Sequence, residues 1–239
     1  TLDRSSAASD VYKRQTWGLL AVCLLSVLLA VTGAWLALKT PWGTARVLPR
    51  VPGLTVVSPQ GALWGDFQAA SLTLQLPRGG RLHLLAPAWR GLDVVREAHA
   101  PWGWAVHIPT LEAASLDLTW HADPKAPPAQ APVSLASPVG LRVEALRVPV
   151  VRSNLLQGAP LTGVALSVAI QGPPGPGKSG GSQHRVDVQS LQWQSWAVSG
   201  SASVGVNAGL PVQAQWRART RQGEGRVVWS GPLASLRTV

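Results

Sequence analysis

Residues 211–219 read PVQAQWRAR. Alternate side chains of a β-strand point to opposite faces, so Val212, Ala214, Trp216 and Ala218 share one side. Gln213, Gln215, Arg217 and Arg219 share the other. The same period-two pattern recurs in 71–76 (SLTLQL), where Leu72, Leu74 and Leu76 oppose Thr73 and Gln75. It recurs again in 115–120 (SLDLTW), with Leu116 and Leu118 against Asp117, and in 184–189 (HRVDVQ). Shorter strands are expected at 54–58, 81–85, 104–108, 141–148, 164–170, 197–206 and 225–229. Turn residues such as Gly79-Gly80 and Gly223-Glu224-Gly225 punctuate them. No regular repeat length links the strands, so a strict solenoid motif is absent.

Composition supports a mainly β chain. With 24 Gly and 20 Pro among 239 residues, a helical bundle is disfavoured. Charged residues make up 13%, against the usual quarter, and hydrophobic residues 46%, too apolar for a disordered chain. The ratio of 12 Trp to one Phe and one Tyr has no physical account. Two stretches do not fit strands. Residues 123–138 (DPKAPPAQAPVSLASP) read as a surface linker, and 171–183 (QGPPGPGKSGGSQ) as a Gly/Pro loop. The linker divides the chain into a first β segment, 39–122, and a second, 139–239.

Residues 16–38 (TWGLLAVCLLSVLLAVTGAWLAL) carry no charge. As a helix they extend ~34 Å, which matches a hydrocarbon core of ~30 Å. Trp17 and Trp35 sit near the ends, where indoles favour the interface. The run is longer than a signal-peptide core and its exit is poor for cleavage, so an uncleaved transmembrane anchor is expected. Lys39, Arg46 and Arg50 alone favour a cytoplasmic C-terminal side, but long domains translocate largely regardless of such charges. Residues 6–15 (SAASDVYKRQ) look like a translated sequencing adapter, and the sequence has no Met. Residues 1–15 are therefore expected to be a non-native, unstructured tail. Cys23 is the single cysteine and excludes a disulfide framework.

Several motifs tempt and fail. Residues 172–179 (GPPGPGKS) match the phosphate-binding loop formally, but turn and strand follow them where a helix is required. No nucleotide site is expected there. His83, His99, His107, His121 and His184 lack metal-ligand spacing. Only nine carboxylates follow residue 38, so an enzyme is not expected, nor any cofactor. The net charge of +10 is scattered rather than clustered, with Arg217, Arg219 and Arg221 the one dense group. That argues against nucleic acid and leaves anionic lipid as the alternative to a solvated face.

Residues 51–66 read VPGLTVVSPQGALWGD. With the anchor before it and strands after it, this stretch resembles the start of the TamB family, the inner-membrane component of the translocation and assembly module of diderm bacteria. The resemblance rests on Pro52-Gly53-Leu54, on Gly61, Leu63 and Gly65, and on 111–120 and 139–147. Near the end it rests on 210–216 and 229–236. It implies an inner-membrane anchor, a periplasmic β region and an extended, curled, groove-like sheet that conducts lipid between membranes. A role in outer-membrane protein assembly is implied too. Family members are far longer, so an N-terminal fragment is expected. Their contact with the outer-membrane barrel TamA is made by a C-terminal region absent here. A type II secretion N-like or AsmA-like accessory protein shares the anchor and the β region and stands as the alternative. A glycan-binding β-module using exposed Trp is a third reading.

The physics of a lipid conduit suits the alternation. Exposing an acyl chain of ~14 methylenes to water costs about 11 kcal/mol, so unaided transit is negligible. A sheet with one apolar face removes most of that cost. The expected groove residues are Leu72, Leu74, Leu76, Leu116, Leu118, Val212, Ala214 and Trp216, with Thr73, Gln75, Asp117, Gln213 and Arg217 facing water.

Overall fold

The computed structural model describes residues 5–76, 79–97, 102–121, 134–156, 158–170, 183–206 and 209–232, with side chains from Val22 onward. The phosphate-loop look-alike at 172–179, His99 and most of the linker expected at 123–138 lie outside the described residues.

Helix α1 covers Ser5–Lys39. Its first residues correct the expectation of an unstructured tail. Residues 5–15 contain neither Gly nor Pro, and extending an existing helix costs far less than starting one. Val22–Lys39 is long and apolar enough to cross a membrane, and none of it is buried against the protein.

The first β segment expected from residue 39 does not begin as strand, because α2 spans Pro41–Val47. Thr40 caps it: its Oγ1 accepts a hydrogen bond from the Gly43 N–H at 3.1 Å, with Pro41 preset for the first helical position. A 3-10 turn, Leu48–Arg50, leads into the sheet.

Among the described residues, all fifteen strands belong to one sheet. The first segment supplies β1 (Leu54–Val57), β2 (Gln60–Gly61), β3 (Phe67–Gln68), β4 (Ser71–Gln75) and β5 (Arg81–Leu85). It continues with β6 (Ala88–Arg90), β7 (Asp93–Arg96), β8 (Trp104–Glu112) and β9 (Ser115–Thr119). The second supplies β10 (Gly140–Ser153), β11 (Leu161–Ile170), β12 (Gln183–Trp193), β13 (Trp196–Gly205), β14 (Pro211–Thr220) and β15 (Gly223–Pro232). The main path runs β1-β4-β5-β9-β10 and then in order to β15, and its two ends do not pair, so the sheet is open.

Strand β10 joins the two segments. Its first half pairs in parallel with β8 (Gly140 with Ala105 through Arg147 with Glu112). Its second half pairs in parallel with β9 (Val150 with Ser115 through Ser153 with Leu118). The sheet therefore forks at Ala113-Ala114. One branch continues through β9, β5, β4 and β1, and the other runs from β8 to β6, β3 and β2, with β7 beside it. From β10 onward the strands form an antiparallel meander. Register shifts mark β-bulges between Val143 and Leu146, Thr162 and Ala165, and Val188 and Leu191. Bulges on successive strands bend and twist a sheet locally.

Two clusters anchor the packing. Leu48, Phe67 and Ala69 are buried with Leu54, Val56, Leu63 and Trp89 against them, so the short branch closes over the β1 end. The Phe67 and Trp89 rings stack at 4.2 Å. The second cluster centres on Ala113, Val148 and Val164 and includes Leu84, Leu116, Val151, Leu166 and Leu191. It bridges the fork, so the apolar sides of the two segments meet.

Candidate functional site: an apolar sheet face and its joint to the helix

Strand register converts alternation into rows. Leu54, Leu74, Leu82 and Leu118 stand side by side across β1, β4, β5 and β9. Val56, Leu72, Leu84 and Leu116 form the next row on the same face. Between them, on the opposite face, run Thr55, Thr73, His83 and Asp117, continued by Arg152 on β10. This polar row is internally bonded. Thr73 Oγ1 and His83 Nδ1 share a hydrogen bond of 2.9 Å, and Arg152 pairs with Asp117 at 3.5 Å.

The second segment repeats the design over six strands. Val143, Val168, Val186, Ala202, Ala214 and Trp229 are consecutive register partners from β10 to β15. Leu146, Leu166, Val188, Gly200, Trp216 and Val227 form the parallel row. Gly200 is the one member without a side chain, and the geometry explains it. A Cβ there lies 2.2 Å from the Gln215 carbonyl oxygen and 2.8 Å from Trp216 Cε3, so the indole occupies the space. The other face presents Arg142, Ala169, Arg185, Ser203, Gln213 and Ser230.

Ion pairs stud that polar face: Arg142–Glu97 at 2.9 Å, Arg147–Glu112 at 3.4 Å, Arg185–Asp187 at 2.8 Å, and Arg217 and Arg219 with Glu224 at 3.1 and 2.9 Å. Hydrogen bonds donated by the Arg185 guanidinium to the Asp187 carboxylate hold that guanidinium above its ordinary pKa. Exposed pairs of this kind contribute ~0–1 kcal/mol each, so they mark the solvent side more than they stabilise it.

The apolar face is partly accessible, although Val143 and Val188 within its rows are buried. Leu72, Leu74, Leu116, Leu118, Ala214 and Trp216 are all half-buried, while Gln75, Gln213 and Arg217 are exposed. Val227, in the Trp216 row, is 61% exposed. Two expected groove residues need correction. Leu76 lies just beyond β4, where its N–H donates to the Gly80 carbonyl at 2.8 Å, so it belongs to the turn. Val212 is only 7% exposed, and Val206 and Leu210 on the same hairpin are buried too. There the end of the linker crosses the sheet: Ser134 Oγ donates to the Val206 carbonyl at 3.2 Å, and His184 Nε2 meets the Leu135 carbonyl at 2.7 Å. Thr73 and Asp117, expected to face water, lie on the polar face but are half-buried by the bonds just described.

The sheet is fastened to α1 by a joint that sequence reading missed. Gly43 approaches so closely that a Cβ there lies 2.3 Å from Ala37 Cα. Thr44, 1% exposed, donates from Oγ1 to the Ala37 carbonyl at 3.4 Å and accepts from the Leu63 N–H at 3.0 Å. The Trp64 N–H donates to the Leu38 carbonyl at 2.8 Å, satisfying an orphan acceptor at the helix end. Lys39 Nζ lies 4.5 Å from the centre of the Trp64 ring. Trp64 Nε1 in turn donates to Asp93 Oδ1 at 2.8 Å. That bond, with one from the Val94 N–H, holds the Asp93 carboxyl below the usual carboxylate range. Two signals were present in the sequence, the Thr40-Pro41 cap and the 61–65 stretch GALWG. Their partners lie 19 to 29 residues away for Thr44–Leu63 and Trp64–Asp93, beyond any local pattern.

Among the described residues no three of His, Cys, Asp and Glu lie together so as to hold a metal ion. No protein-family model, curated protein or solved structure matches the chain.

Proposed function

We propose that this protein handles membrane lipid along the apolar face of its sheet, in the manner of TamB proteins, from the inner membrane and with the sheet in the periplasm. The observation that carries the reading is the pair of register-aligned apolar rows in each segment, joined across the fork by the Leu84, Leu116, Val148 and Leu166 cluster. A closed core buries such rows. Here most of their side chains stay half-accessible, which suits an occupant that comes and goes. Acyl chains gain ~0.8 kcal/mol per methylene removed from water, so a few turns of contact outweigh the ordering cost. A contribution to outer-membrane protein assembly, with contact to the barrel TamA, belongs to the same proposal.

Lipid carried by the purified full chain, counted by mass spectrometry, tests it. Leu74→Asp with Ala214→Asp places charge in both rows and is expected to lower bound lipid at least tenfold. Gln75→Asp with Gln213→Asp, on the other face, is expected to leave it unchanged. Equal lipid in all three proteins, each with an unchanged circular dichroism spectrum, contradicts the proposal.

A further inference from the structure

We propose that the outward side of α2 and the turn after it form a seat for the phosphate headgroups of the bilayer that α1 crosses; this rests on α1 being a spanning helix. The residues sort cleanly. Gly43, Thr44 and Leu48 are buried, whereas Trp42, Ala45, Arg46 and Arg50 are exposed, the 3.6-residue period of a helix with one open side. The buried side is locked to both α1 and the sheet through the Gly43 contact and the two Thr44 hydrogen bonds. The open side is therefore held at one depth. Only Thr40 separates the last residue of α1 from the first of α2, so that depth is where the apolar helix ends.

What the open side presents is the chemistry of a membrane interface. Trp42 is 68% exposed, and the Arg46 guanidinium lies 4.7 Å from its ring centre. The Arg50 guanidinium donates to the Arg46 backbone carbonyl, so its charge is held one turn back, at Arg46. Arg142, Arg147, Arg152, Arg185, Arg217 and Arg219 all pair with carboxylates. Arg46 and Arg50, like Arg81, Arg90, Arg96, Arg221 and Arg226, have no carboxylate partner among the described residues, and of these only they stand beside the end of α1. An indole beside unpaired cations, next to the end of an apolar helix, fits lipid phosphate: the indole takes the headgroup level and each guanidinium offers two parallel donors. Seated in this way, α2 keeps β1, and with it the start of the apolar rows, next to the leaflet.

Site-directed spin labelling in vesicles tests the seat. In a Cys23→Ser background, single nitroxides are placed by Leu29→Cys, Ala45→Cys and Gln213→Cys in the full chain. Collision with oxygen and with a water-soluble nickel complex is then read in vesicles of phosphatidylcholine with phosphatidylglycerol. The position-29 label is expected in hydrocarbon, the position-45 label at the headgroups and the position-213 label in water. Arg46→Gln and Arg50→Gln are each expected to shift the position-45 label about fivefold toward water, less so at high salt or without phosphatidylglycerol. A deep position-29 label with a fully aqueous position-45 label overturns the seat and spares the spanning reading. An aqueous position-29 label overturns both. A headgroup-level position-45 label indifferent to both arginine substitutions overturns the phosphate assignment.

Discussion

Trp64 shows how one residue ties together parts of the chain that share no local pattern. Its backbone closes the end of α1, its ring carries Lys39, and its indole N–H holds Asp93. Asp93 has a depressed pKa in the folded protein, so its contribution is present above the usual carboxylate pKa and is lost as pH falls through the folded value. The joint should therefore hold at neutral and mildly acid pH and loosen only below the ordinary carboxylate range. The indole N–H resonance of Trp64, followed against pH, is expected to shift in that low range. Asp93→Asn should abolish the titration. Gly200 supplies a second test at this scale. Gly200→Val sets two methyl groups against the Trp216 ring and the Gln215 carbonyl, an overpacking that costs about 1–3 kcal/mol. A lowered urea midpoint with altered tryptophan fluorescence is the expected readout, and an unchanged midpoint contradicts the packing described.

Elements differ in how far the sequence announces them. Strands with clear alternation, β4, β5, β9 and β14, are legible to within a residue of their ends because each turns one face from water. Strands β8 and β10 are longer than alternation suggests, which reaches only Ile108 and Val148, each immediately before a proline. Proline lacks the ladder donor and normally ends a strand. Here both prolines fall at breaks in the pairing. Pro109 lies between the stretch of β8 paired with β7, which ends at His107, and that paired with β6, which starts at Thr110. Pro149 lies where β10 passes from β8, at Arg147, to β9, at Val150. Strands β2, β3, β6 and β7 have two to four residues, too few to show a period. They exist because neighbours pair with them. The apolar helix was legible from length and lack of charge alone, and its topology is testable as an element. Alkaline phosphatase fused after Val239 is expected to be active and a cytoplasmic reporter at the same point silent; the reverse pattern contradicts a periplasmic sheet.

At the scale of the whole molecule, what the sequence could not show is register. Alternation says that Leu74 and Ala214 each lie on an apolar face, not that their faces are continuous. Continuity depends on β10, which holds both branches of the first segment on one edge and the meander on the other. It also depends on the cluster around Ala113, Val148 and Val164, drawn from residues far apart in the chain. Val212 and Leu76 fall outside the candidate groove, the first because it is buried and the second because it lies in the turn after β4. The central claim is that lipid occupies the face that remains. Photo-crosslinking amino acids placed singly at Leu74, Leu82 and Trp216, and at Gln75, Gln213 and Gln215, test it in cells. Lipid adducts at the first three positions and none at the second three are the predicted result. Equal labelling on both faces, or adducts at none of the six, contradicts it.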